Sequence, residues 1–327
     1  MARPLPVSYE ELLNETLPML DEHFIRQSSP VHSRPFEAAR FIVDHMIVEI
    51  TGDSKDDYLS KPWFSGIYLP VIRWYEQRYG AEIAHPKNPM VHGLVSHFGA
   101  LYALRVELVL SEVDCEGHRW IKFPKEVQLD ENPYNWLFAP PRLEDLKPSR
   151  RTSLLETSRG VANRLRSINN GLRSATYPNE VNRRMASTIL RHLEKAALDA
   201  TSRNDESSTF VPWELQMACE KAIKTYLSQR KITYPATHDL RTLNKLAEPS
   251  HSWQGASKLL AAFPLEPRVM RWRYAEITPP TQAELWRMYG AAVELIEGYA
   301  DRLTKTFTFN SFAVKLKTAP WHLPGDA

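Results

Sequence analysis

Four long stretches of the chain place apolar residues three or four positions apart, and that spacing commits most of its second half to amphipathic helix. They run over 149–175, 180–200, 212–231 and 281–303. In the second the stripe is Met185, Ile189, Leu193, Ala196 and Ala197; in the third it is Leu215, Ala218, Cys219, Ala222 and Tyr226. The fourth opens with Thr281-x-x-Glu284 directly after Pro279-Pro280, a reciprocal cap at a helix start, and continues through Leu285, Met288, Ala292, Ile296, Tyr299 and Leu303. A short helix over 238–247 and a polar loop over 201–209 lie between them. Consecutive helices with short connections and one apolar stripe each pack as an up-and-down bundle.

The first part also reads as helical. Leu12, Leu13, Leu17, Leu20 and Phe24 mark one helix over 9–25, capped by Ser8. A second spans 36–50 and a third, rich in aromatics, spans 63–79 and stops at Gly80. A fourth is expected from Asn88-Pro89 onward, with Val91, Leu94, Val95, Phe98 and Leu101 along it. The period then changes to two. Val106, Leu108 and Leu110 alternate with other residues, as do Ile121 and Phe123, and Asp114-Cys115-Glu116-Gly117 sits between them, which signals a β-hairpin over about 104–127. Alternation returns at the end, with Phe307 and Phe309, then Phe312, Val314 and Leu316. A hairpin alone is marginal, so the tail is expected to return and pair with it.

The fold class expected is therefore mainly α. An N-terminal helical domain with a small β-hairpin or sheet occupies 1–141, and a proline-rich stretch separates it from a basic connecting helix at 142–179. A helical bundle at 180–304 and a strand-like tail at 305–327 follow. The two cysteines, Cys115 and Cys219, stand far apart and in no metal-like spacing, which argues against a disulfide framework or a zinc site. Neither an apolar signal segment nor a run of eighteen apolar residues occurs, so a cytoplasmic protein without membrane contact is expected. No metal and no cofactor are expected: the P-loop, GxGxxG, GxSxG, HExxH and EF-hand spacings are all missing. His92 and His97 are five apart and cannot face one metal from a helix.

Charge is distributed unevenly. Residues 1–141 hold 13 Lys/Arg against 20 Asp/Glu, net −7; residues 142–191 hold 11 against 4, net +7; residues 192–327 hold 17 against 15, net +2. The basic excess thus sits in one short segment, which either lies on the protein's own carboxylates or meets an external anion. Within it Arg159, Asn163, Arg166, Asn170 and Arg173 follow one another at steps of four, three, four and three. On a helix they fall within an arc of about 80°, opposite Val161, Leu165, Ile168 and Leu172. Guanidinium groups spaced two turns apart suit successive phosphates, and carboxamides between them suit base edges or sugar hydroxyls. These five residues are the candidate nucleic-acid contacts, with carboxylates of this chain or of an acidic protein partner as the alternative.

The second half also resembles a known family. Ala218, Glu220, Lys221, Ala222 and Lys224 match an A-x-E-K-A-x-K signature; Thr237, His238, Asp239 and Leu240 match a T-H-D-L turn; Arg273 and Tyr274 match an R-Y element before the last helix. Over about 180–304 the chain resembles the HEPN domain superfamily. The resemblance implies a helical bundle, a homodimer through it, and a setting in bacterial defence or toxin–antitoxin systems. It also implies metal-independent ribonuclease chemistry in members that carry Arg and His at R-x(4–6)-H spacing in a late helix. No histidine follows Arg268, Arg271 or Arg273 at that spacing. Arg26 with His32 and Arg40 with His45 match it elsewhere, a number that chance supplies, and only Arg40 and His45 lie on an expected helix. They and His238 are the catalytic candidates, although His238 beside Asp239 also reads as a helix start. The first functional expectation is a module that binds RNA or nucleotide without catalysis. A metal-independent endoribonuclease and a scaffold for an acidic protein are the alternatives.

Overall fold

The computed structural model describes residues 9–83, 89–113, 119–202, 204–251, 253–307 and 312–316. The chain divides into two units, one of residues 1–87, 112–120 and 315–327, the other of residues 88–111 and 121–314. The break expected near 141 is therefore not where the chain divides. Most of the β structure and the basic helix belong with the bundle.

In the first unit α1 (Tyr9–Arg26), α2 (Arg34–Phe41) and α3 (Pro62–Tyr79) pack around Leu17, Phe24, Ala39, Phe64, Val71 and Tyr75. The helix expected to run to Ile50 ends sooner. After α2 the chain widens into one π turn, Ile42–Met46, and Ile47 is extended. The buried Asp21 carboxylate accepts the Tyr79 hydroxyl and two guanidinium groups, Arg34 and Arg78, each at 3.2 Å, so a buried charge is paired, as it must be.

The second unit opens with the largest departure from the sequence reading. Where a fourth helix was expected, β1 (Met90–His97) pairs antiparallel with β2 (Ala100–Glu107), Met90 opposite Glu107 and His97 opposite Ala100. Phe98 and Gly99 connect them with φ of 53° and 77°, the two left-handed residues of a type I′ turn. Val91 and Val95 favour strand, and Gly93 belongs where another element approaches closely: an added Cβ would lie 2.8 Å from Leu165 and Val161. Both apolar patterns fit Val91, Leu94 and Val95, which is why the period misled. A second, three-stranded sheet has the order β3 (Leu110–Val113), β4 (Arg119–Phe123), β5 (Phe312–Leu316), so the tail strand lies beside β4. The turn expected at 114–117 and Phe309 lie outside the described residues.

Helices make up the rest: α4 (Pro148–Ser174), α5 (Glu180–Ser187), α6 (Ile189–Thr201), α7 (Asp205–Gln229), α8 (Leu240–Ala247), α9 (Gly255–Leu260), α10 (Glu266–Arg273) and α11 (Gln282–Arg302). The helix expected over 180–200 is broken at Thr188, and α7 starts inside the expected polar loop, capped by the Asn204 side chain on the Glu206 amide. The capping box at Thr281 and Glu284 is present. At the start of α8 it is Asp239 that caps, accepting from the Arg241 amide. The fold is mainly α, with α7 at its centre: α5, α6, α8, α10 and α11 all pack on it, and β1 and β2 lie on α6 and α4.

Candidate functional site

A helix surrounded by others has few positions for polar side chains, and those it carries must find partners. On α7 they include Glu214 and Glu220, both nearly buried, and the half-buried Lys221 and Lys224. Lys221 lies two turns after Glu214 and Lys224 one turn after Glu220, and opposite them Thr188 stands at the N-cap of α6 with His192 one turn further on.

Two linked clusters result. In the first, Nδ1 of His192 lies 2.6 Å from Oε2 of Glu214, and Nζ of Lys221 lies 2.7 Å from Nε2 of the same ring. Lys221 also donates to Oγ1 of Thr188 at 2.7 Å. With Lys221 charged, Nε2 of His192 must accept and its Nδ1–H must be donated to Glu214. In the second, Lys224 donates to Oε1 of Glu220 at 2.6 Å, and Oε2 of Glu220 lies 2.8 Å from Nδ1 of His238. The His238 ring is 5.5 Å from that of Trp213, whose other neighbour is the Arg273 guanidinium at 4.1 Å.

The two lysines differ. Glu220, only 8% exposed, neutralises Lys224. Lys221 is half-buried, and among the described residues no carboxylate lies within ion-pair distance of it. Burial strips its hydration and lowers its pKa below the ordinary lysine value, and the charges of Glu220 and Glu214 offset that only in part. Cys219, between these residues in sequence, is fully buried and its thiol is pushed well above the ordinary range, so it is an inert core residue. Among the described residues no group of three or more His, Cys, Asp or Glu could hold a metal ion.

In the arginine–asparagine line the structure takes the alternative for Arg166, a carboxylate of this chain in place of an external anion. Arg159 and Arg173 are exposed, but the three residues between them turn inward. Arg166 is 0% exposed; its Nη1 and Nη2 grip Glu131 at 2.7 and 2.6 Å, its Nε donates to the Glu107 carbonyl at 2.9 Å, and its Nη1 also reaches the Glu126 carbonyl at 3.2 Å. Oδ1 of Asn163 accepts the Val127 amide at 2.7 Å, and Nδ2 of Asn170 donates to the carbonyls of Phe123 and Pro124 at 3.4 and 3.3 Å. These side chains hold the segment 123–131 against α4. The expectation of an outward cationic ridge is corrected for Asn163, Arg166 and Asn170: their hydrogen-bonding groups already serve this chain. Period alone missed this because it treats a polar stripe as solvent-facing, whereas α4 is covered on that side too.

The other candidates are also dispersed. Arg40 and His45 are exposed in the first unit, where Arg40 reaches the Tyr58 hydroxyl at 3.4 Å and the His45 ring lies tilted against that of Phe41, 4.6 Å between centroids. His238 is half-exposed beside Glu220, in the second cluster. His92 pairs with Glu194 at 2.8 Å from a strand, and His97 is buried. Sequence reasoning missed Thr188, His192 and Glu214. It had Glu220, Lys221 and Lys224 in a signature but not the side chains they meet. The available signal was helical spacing: Lys221 falls two turns after Glu214, and His192 one turn after Thr188.

Among known proteins the chain matched no family, no curated protein and no solved structure.

Proposed function

We propose that the helical unit is a HEPN-like module that binds the phosphate groups of RNA or a nucleotide on the exposed face of α7. The observation that carries this reading is Lys221, a half-buried ammonium whose hydrogen-bond partners are the neutral groups of Thr188 and His192. A desolvated cation without a counterion gains most from an anion brought to it. Lys224 and Lys195 are held by Glu220 and Asp199, but Phe210 and Tyr234 beside them, and Trp213 under the Arg273 guanidinium, supply ring surfaces for bases. The test is fluorescence anisotropy with a labelled single-stranded RNA across a salt series. Affinity should fall steeply with salt, and Lys221→Gln should weaken it and reduce the salt slope by about 1. Salt-independent binding, or a Lys221→Gln protein that binds as wild type does, would count against it.

The chain Glu214–His192–Lys221 favours a second reading, metal-independent RNA cleavage. If a bound phosphate draws the Lys221 ammonium off Nε2 of His192, that nitrogen, with the ring held by Glu214, can take a proton from a 2′-hydroxyl and pass it to the leaving oxygen, while the ammonium stabilises the charge gathering on the phosphorus oxygens. That reading requires RNA cleavage in EDTA that His192→Ala abolishes while binding persists.

A further inference from the structure

The α4 end of the helical unit carries a separate pocket of about 360 Å³, walled by α4, the segment after it and the α5–α6 corner. That volume is near the lower end of small-molecule sites, about 300–1,000 Å³. It opens on the opposite side of α6 from the first cluster, because Leu190 lines it and His192 belongs to the other face, two residues or about 200° away.

Its polar groups are specific. Arg173 stands at the rim, exposed, with no hydrogen bond or ion pair to any described residue. Arg183 also lines the pocket, but Glu180 holds its Nε and Nη2 at 2.7 and 2.9 Å, which neutralises it. Asn169 lies one turn before Arg173 and is only 5% exposed. Its Nδ2 is donated to Asn170 at 3.3 Å, and its Oδ1 accepts from no described residue. That oxygen is open to solvent from the pocket, so an N–H or O–H of an occupant can donate to it in place of water. Tyr177 spends its hydroxyl on the Leu172 carbonyl, so its ring acts as wall beside Leu172 and Leu190.

We propose that this pocket binds a small apolar monoacid that carries an N–H or O–H donor next to its carboxylate. The carboxylate takes the Arg173 fork, the donor satisfies Asn169, and the apolar body covers Leu172, Leu190 and the Tyr177 ring. One uncompensated guanidinium matches one negative charge and selects a carboxylate over a doubly charged phosphate.

Isothermal titration calorimetry with N-acetyl-L-phenylalanine tests this on the full chain. Two analogues isolate the contacts: the primary amide of the same compound lacks the charge, and 3-phenylpropionate lacks the N–H. The acid should bind, and each analogue should bind at least tenfold more weakly, about 1.4 kcal/mol. Arg173→Met should cost at least tenfold as well, with thermal unfolding unchanged, since this residue is exposed and bonded to no described residue. No heat from the acid at millimolar concentration overturns the proposal, as does an amide that binds equally well or an Arg173→Met protein with wild-type affinity. None of these three results bears on the α7 reading.

Discussion

Replacing Arg166 with methionine should unfold the helical unit far more readily than loss of a surface arginine would. The side chain is 0% exposed and Glu131, its partner, is 11% exposed. Truncation leaves that carboxylate without its counterion and removes the donor from two backbone carbonyls. Removing one partner of a buried pair costs about 3–5 kcal/mol, chiefly because the other charge stays behind. For a unit of this size each kcal/mol moves the melting temperature by about 2–4 °C, so a fall of about 6–20 °C is expected. Calorimetry and urea unfolding followed by circular dichroism measure it. The double variant Arg166→Met with Glu131→Leu should recover part of the loss, because no lone charge remains. A change below about 0.5 kcal/mol, the range of ordinary surface substitutions, would refute the inward placement of Arg166.

Three further outcomes are expected. RNA binding should weaken as pH rises through a midpoint below the ordinary lysine value of 10.5, since burial lowers the Lys221 pKa and only its charged form attracts phosphate; Lys221→Arg should remove that pH dependence in an anisotropy titration. His97 and His251 both have pKa values lowered from 6.5 by burial. The native state therefore binds fewer protons than the unfolded chain below that pH, stability falls as pH drops through it, and His97→Asn with His251→Asn should flatten the slope in urea titrations. Gly93→Ala places a methyl group 2.8 Å from Leu165 and Val161, and overpacking of about 1–3 kcal/mol should appear in the same assay.

The helices that end on strong local chemistry were legible in the sequence. Gly80 stops α3, Thr281 and Glu284 open α11, and the stripe from Leu285 to Leu303 is buried. The β1–β2 hairpin was not, because its short apolar run satisfies helical and strand spacing alike and its turn uses Phe98 where asparagine or glycine is usual. Of the candidate site, sequence offered Glu220, Lys221 and Lys224 but not their company. His192 approaches Lys221 from 29 residues earlier in the chain, and no local pattern encodes such a meeting. The α4 line misled for the opposite reason. Its regular spacing is real, but what lies across from it is a loop that no periodicity announces.

That loop has a history set by the order of synthesis. Residues 123–131 form almost no regular structure of their own; Asn163, Arg166 and Asn170 hold them from 35 to 47 positions further on. A growing chain exposes the loop well before the helix that clasps it leaves the ribosome. A nascent chain halted short of Asn170 therefore presents an open, protease-sensitive strap, and resistance to cleavage there reports that α4 has been made and docked.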